Sequence, residues 1–120
     1  MTIADLLNSG IAHQQAGRLT QALEVYRAIL ARDPDHADAL NLSGIIAMRT
    51  GDPHEAVSLI RKALIREPAN YGYLNSLGNA LQANGDLAAA RQAYEQGLSL
   101  APSDPDLLYN LGRLCRAQGL

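Results

Sequence analysis

Residues 37–70 read ADALNLSGIIAMRTGDPHEAVSLIRKALIREPAN, and residues 71–104 read YGYLNSLGNALQANGDLAAARQAYEQGLSLAPSD. Laid one over the other, Leu40 meets Leu74, Gly44 meets Gly78, Gly51 meets Gly85, Ala56 meets Ala90, Leu64 meets Leu98 and Pro68 meets Pro102. The period is 34 residues, and it continues in both directions. Upstream it picks up Leu6, Gly10, Gly17, Ala22, Leu30 and Pro34; downstream it picks up Leu108, Gly112 and Gly119. A fixed period of this length marks stacked repeats, in which each unit buries its apolar face only against its neighbours.

Each unit reads as two helices. The first helices are predicted near residues 3–16, 37–50, 71–84 and 105–118, and the second near 19–32, 53–66 and 87–100. Gly17, Gly51 and Gly85 follow the first helices, where a left-handed cap favours a residue without Cβ. Asp52-Pro53 and Asp104-Pro105 pair a capping carboxylate with a proline at the first helical position. Thr2 and Asp5 have the spacing of a capping box. Pro34, Pro68 and Pro102 end the second helices, because the residue before proline avoids the helical region. Gly10, Gly44, Gly78 and Gly112 fall inside helices, where glycine costs about 1 kcal/mol relative to alanine. Their shared period points to close helix contact, with Ala22, Ala56 and Ala90 as the expected opposing residues.

Composition agrees. Ala and Leu contribute 20 residues each to the 120, Trp and Phe are absent, and the only aromatics are 5 Tyr. That is the make-up of closely packed helices rather than of a sandwich or barrel. The net charge of −2 disfavours a basic nucleic-acid binder. One cysteine, Cys115, excludes an intrachain disulfide and a cysteine-based zinc cluster. No signal-peptide pattern and no membrane-length apolar run are present, so the default reading is a soluble cytoplasmic protein without membrane insertion.

These columns resemble the tetratricopeptide repeat. The second unit carries Leu40, Gly44, Ala47, Gly51, Ala56, Ile60, Ala63 and Pro68; the third carries Leu74, Leu77, Gly78, Leu81, Gly85, Ala90, Tyr94 and Pro102. Some columns depart from the family. His13, Ala47, Leu81 and Cys115 replace a tyrosine near the end of the first helix, Ser9 and Ser43 replace a leucine, and Gly97 replaces a small residue that is usually Ala. Local loosening of the packing is expected at these departures. The resemblance implies an all-α fold of seven helices: a right-handed superhelix of antiparallel pairs, forming one array over residues 1–120. Its repeats are 3–36, 37–70 and 71–104, with residues 105–120 as the first helix of an incomplete fourth repeat or a cap. First helices would line the concave face and second helices the outer face.

Helical spacing then selects the residues of that concave groove. They are Leu7, Ile11, Gln14 and Gln15; Asn41, Ile45, Met48 and Arg49; Asn75, Asn79, Gln82 and Ala83; and Tyr109, Arg113 and Arg116. Charges concentrate instead on the second helices, among them Glu24, Arg27, Glu55, Arg61, Lys62, Arg91 and Glu95. An amide donates and accepts at once, so a row of Asn and Gln suits the backbone of an extended peptide. Family members that grip chaperone tails carry a clamp of Lys, Asn and Arg; at those columns this chain has Leu7, Ile11, Leu42 and Ser76, so an Hsp70 or Hsp90 tail is not the expected ligand. The asparagine ladder of repeats fused to O-linked N-acetylglucosamine transferases is matched by Asn8 and Asn110 but broken at Leu42 and Ser76.

No phosphate loop, dinucleotide fingerprint or nucleophile constellation is present. His13, His36 and His54 fall in different parts of the repeat, and the Asp33–Asp38 run reads as a turn at a helix N-terminus rather than a cation site. Cys115 reads as a core or interface thiol. The expectation is a non-enzymatic scaffold without cofactor or metal, binding a protein or peptide. Two alternatives stand beside it. One is the N-terminal module of a larger bacterial enzyme of glycosyltransferase or methyltransferase type. The other is a self-associating module that forms a homo-oligomer through an unpartnered edge of Leu108, Leu111 and Cys115.

Overall fold

The computed structural model describes residues 1–119; the last residue of the predicted 105–120 segment lies outside them. Among the described residues there are seven helices and no strand: α1 Ile3–Gln15, α2 Leu19–Arg32, α3 Ala37–Arg49, α4 Pro53–Arg66, α5 Tyr71–Ala83, α6 Leu87–Leu100 and α7 Pro105–Ala117. Every helix lies within a residue or two of its predicted span, because the punctuation acts as expected. Gly51 has φ 94°. This left-handed residue lets Gly51 N–H reach Met48 O at 3.3 Å and Asp52 N–H reach Ala47 O at 2.8 Å. Those two bonds satisfy carbonyls that the end of α3 would otherwise orphan. The same pair of bonds recurs after α1 and α5. Asp33, Glu67 and Ala101, each just before a proline, have φ between −140° and −133° and end α2, α4 and α6.

Side-chain caps start α1, α3, α4, α5 and α7. Thr2 and Asp5 close a reciprocal box, each bond 3.0 Å, and these bonds hold the Asp5 carboxyl below its usual pKa. Asp52 accepts from Glu55 N–H at 3.1 Å, and Asp104 accepts from Leu107 N–H at 3.0 Å. His36 and Asn70 cap α3 and α5 in the same way. Each such cap contributes about 1 kcal/mol.

Helices stack pairwise along the chain, each against the next, and α3 also touches α5 while α5 touches α7. The result is an α-solenoid 48 Å long and 27 × 22 Å across. Its core is set by two kinds of size matching. Within each repeat, the helical glycine receives a large residue from the second helix. A Cβ on Gly10 would overlap the Tyr26 ring, one on Gly78 would overlap the Tyr94 ring, and one on Gly44 would come 2.7 Å from Ile60 Cγ1. This corrects the expected partners. Ala22, Ala56 and Ala90 are fully buried, but the residue entering the glycine notch lies one turn later. At Gly44, Ala56 also approaches that notch, through its carbonyl oxygen at 3.2 Å.

Between repeats the sizes are complementary. Ile29 and Ala39 share one buried cluster, and Ala63 and Tyr73 share another. Leu107 sits against Gly97, 2.9 Å from where a Cβ would stand. Large, medium and small residues at one column thus meet small, large and large residues at the other. Gly97 does not loosen the packing as expected, because Leu107 occupies the space and is fully buried. Tyr73 also ties the seam by donating its hydroxyl proton to Asp38 on α3.

Candidate functional site

The candidate groove runs over α3, α5 and α7, which together line one depression. On α5, Asn75, Asn79 and Gln82 recur at intervals of four and three, so they share one face. Beneath them the buried Tyr94 of α6 points its hydroxyl at the same face. It donates to Asn79 Oδ1 at 2.6 Å and lies 3.3 Å from the Gln82 side chain. A phenol has one proton. That proton is directed at Asn79, with Gln82 Oε1 as the longer, secondary acceptor, so both amide NH₂ groups point away from the phenol. Tyr26 does the same in the first repeat, donating to Gln14 Oε1 at 2.7 Å.

This changes the polarity of the face. The amides do not offer donor and acceptor equally, because the carbonyl oxygens of Asn79 and Gln14 each already accept one bond from a tyrosine. The Asn79 NH₂ remains for a ligand. Asn110 Nδ2 donates to Asn75 Oδ1 at 2.8 Å, so α5 and α7 are stapled amide to amide. Met48, Asn79, Gln82, Ala83 and Arg113 line one depression of about 460 Å³. The Arg113 guanidinium lies 5.7 Å from the Tyr109 ring centroid, close enough for a cation–π contact that fixes its position. The depression therefore presents N–H donors, one full positive charge and the Met48 thioether.

The other predicted groove residues are distributed unevenly. Leu7, Ile11, Gln14 and Ile45 are half-buried, whereas Arg49, Tyr109 and Arg116 are exposed. Asn41 is only 8% exposed, and its Oδ1 has no hydrogen-bond partner. At the α7 edge, Leu108 is half exposed; Leu111 leans partly on the cluster that holds Leu107 and Leu114. Cys115 is partly exposed. Among the described residues no three His, Cys, Asp or Glu side chains are placed to hold a metal ion. His36 Nδ1 is committed to Ala39 N–H, and His13 Nδ1 accepts from Arg18 Nε at 2.9 Å. Among the described residues no helix is long and apolar enough to cross a membrane.

The tyrosine supports were missed at the sequence level, although a signal was present. The columns change together: Gln14 with Tyr26, Met48 with Ile60, Gln82 with Tyr94. A polar amide stands over a phenol and a thioether stands over an alkyl chain, which is the pattern of a direct contact.

Burial raises the pKa of Tyr26 and of Tyr94 to about 12, so both hydroxyls stay donors across the ordinary pH range. Unfolded tyrosine ionises near pH ~10. The folded form then holds protons that the unfolded form has lost, so stability is full below pH ~10 and falls as pH rises toward ~12. Urea midpoints should be flat from pH 7 to 9 and then drop. The drop should be smaller in the Tyr26→Phe, Tyr94→Phe double variant, and an equal drop would remove these two tyrosines as its cause.

A family model described as tetratricopeptide repeat matches residues 7–72, and a second described as TPR repeat matches residues 78–119. No curated protein sequence matches the chain. Among solved structures, the chain is similar to an O-GlcNAc transferase mutant from Thermobaculum terrenum, with 26% identity and a TM-score of 0.92. That match covers 94% of this chain and 22% of that one, so this chain spans about a fifth of that protein's length. It is also similar to the first TPR domain of human RPAP3, at 20% identity and TM-score 0.91, covering 98% of this chain and 92% of that one. The first TPR of Spaghetti (RPAP3) bound to the HSP90 peptide SRMEEVD matches at 19% identity and TM-score 0.90, covering 98% of this chain and 94% of that one. With helix pairs at a 34-residue period and a family match over more than half its length, the chain belongs to the tetratricopeptide repeat family.

Proposed function

We propose that this protein is a protein-interaction scaffold that holds a peptide segment against α3, α5 and α7. The observation that carries the reading is the Met48–Asn79–Gln82–Arg113 depression, where three helices from successive repeats converge and the donors outnumber the acceptors. Such a surface suits backbone carbonyls and an acidic side chain beside Arg113. The peptide bound by the RPAP3 domain is a precedent for a ligand on this fold, not for its sequence. Nothing in the depression activates a nucleophile, so binding rather than catalysis is the work assigned to it.

The test compares capture of partners by the intact protein and by Arg113→Ala. Arg113 is exposed, so the substitution leaves the core intact. Affinity for a genuine partner should fall about tenfold, the effect of about 1.4 kcal/mol; unchanged affinity would sink the groove assignment. SRMEEVD serves as the control. With Leu7, Ile11, Leu42 and Ser76 at the positions of the carboxylate clamp, it should show no saturable binding by calorimetry.

A second reading concerns the α7 edge. A Cβ on Gly112 would meet nothing within 4 Å, unlike those on Gly10, Gly44 and Gly78. Leu108 beside it is 50% exposed. This face is proposed to pair with a second copy of the chain, which would place apolar side chains over Gly112. Light scattering should show mass rising with concentration, and Leu108→Asp should abolish the rise. A constant monomer mass would end this reading. The likeness to part of the Thermobaculum enzyme supports a third arrangement, in which the array is one module of a larger bacterial enzyme; the reading frame of the intact gene decides it.

A further inference from the structure

The face of α7 that carries Gly112 has a defined shape. Asp104, Leu108, Gly112 and Arg116 recur every four residues, so they share one broad side of the helix. Leu108 is half exposed, and a Cβ on Gly112 would meet nothing within 4 Å. The face is therefore a knob followed, one turn later, by an empty notch. Elsewhere in the array the same notch is filled from a second helix: Tyr26 enters at Gly10, Ile60 at Gly44 and Tyr94 at Gly78. The Gly44 case shows that an isoleucine is enough to fill one.

On α4 an isoleucine stands out with no notch to fill. Ile65 is 83% exposed. The equivalent residues, 34 positions before and after, are Ala31 and Ser99, so the repeat itself does not require a large apolar group there. Ser58, Arg61, Lys62 and Ile65 follow the spacing of one helix stripe. They border a hollow of about 480 Å³ with the nearly buried Val57. Along α4 the hollow extends from Ile65 toward the N-terminus. Among the described residues neither Arg61 nor Lys62 is in an ion pair. The stripe is thus a knob beside a hollow, with two uncompensated cations at its rim.

We propose that the α4 stripe of one copy of the chain docks on the α7 edge of another, with Ile65 entering the Gly112 notch and Leu108 entering the hollow on α4. This rests on the second-copy reading of the α7 edge and adds which surface the second copy presents. Shape and charge select the same alignment. With Ile65 over Gly112 and the two helices parallel, Leu108 comes level with Arg61 beside the hollow. Arg61 and Lys62 then lie about one turn from Asp104, and Glu67 lies within a turn of Arg116. Opposite charges meet at both ends. With the helices antiparallel, Arg116 would meet Arg61, and Leu108 would fall past the end of α4, away from the hollow. The two surfaces differ and each copy carries one of each, so the contact is heterologous and assembly continues past the dimer.

The experiment measures mass against concentration by light scattering for the chain and for two variants, Ile65→Asp and Leu108→Asp. The wild-type mass should rise past that of two chains. Each variant alone should stay monomeric, because each has lost one of the two surfaces. An equimolar mixture of the variants should form a one-to-one complex and stop there. In that complex the Ile65→Asp chain supplies its intact α7 edge and the Leu108→Asp chain its intact α4 stripe. Gly112→Leu, which closes the notch from within, takes the place of Leu108→Asp if that variant fails to fold. If Ile65→Asp associates as the wild type does, with a ceiling of two chains, this inference is overturned while the α7 edge still pairs, with its own copy. A mixture that remains monomeric also overturns it. A wild-type mass that stays monomeric throughout, or undiminished association of Leu108→Asp, overturns it together with the reading of the α7 edge on which it rests.

Discussion

Gly78→Ala should destabilise the protein, while Gly112→Ala, the same substitution one repeat later, should stabilise it. At Gly78 the new methyl overlaps the Tyr94 ring. That ring cannot retreat, because Tyr94 is fully buried and its hydroxyl is anchored on Asn79. Overpacking of this kind costs about 3 kcal/mol, and the better helix propensity of alanine returns about 1. A net loss of about 2 kcal/mol is expected in urea unfolding. At Gly112 there is nothing to strike, so the propensity term acts alone and the gain is about 1 kcal/mol. Opposite signs from identical chemistry on one column are the signature of the helix-pair contact. A gain at both positions would mean that the Tyr94 contact does not constrain the backbone.

Leu107→Ala should have a larger effect, and an uneven one. Leu107 is fully buried and is the residue by which α7 plugs into Gly97 on α6. Truncating a buried leucine costs about 3 kcal/mol, and the notch at Gly97 has no side chain with which to refill the void. Beyond α6, the main contacts that hold α7 are those with α5. In a stacked array a weakened terminal interface opens before the rest. Amide exchange should therefore accelerate across Pro105–Ala117 while the α3–α4 hairpin keeps its protection. Detachment of α7 would also break the Asn75–Asn110 staple and withdraw Arg113, so capture of a groove partner should fall with it. Uniform acceleration along the whole chain would argue for a single cooperative unit.

Helix boundaries were legible in the sequence because each is enforced by one local residue: Gly51 by its positive φ, Pro68 by excluding the helical region at Glu67, Asp52 by capping Glu55 N–H. The groove was legible only in outline. That Asn79 and Gln82 share a face follows from their spacing, but which of their atoms remain for a ligand depends on Tyr94. Tyr94 is 15 residues from Asn79 and reaches it only through the packing angle of two helices. The same geometry moved the partner of Gly10 from Ala22 to Tyr26, a single turn that period alone does not resolve. Asn41 has the spacing of a groove residue yet is buried, because local spacing gives a direction around the helix and not the depth at which the neighbouring repeat closes over it.

The size-matched seams give the chain a reading order. If the third repeat followed the first, Ile29 would face Tyr73, two bulky groups where the native seam holds Ile29 and Ala39. If the second followed the third, Gly97 would face Ala39 and leave a hole. The repeats share a template, but each has been tailored to one predecessor and one successor. Shuffled or duplicated versions of this array should misassemble even though every unit keeps its signature residues, and a working rearrangement would have to exchange residues in seam pairs rather than whole repeats.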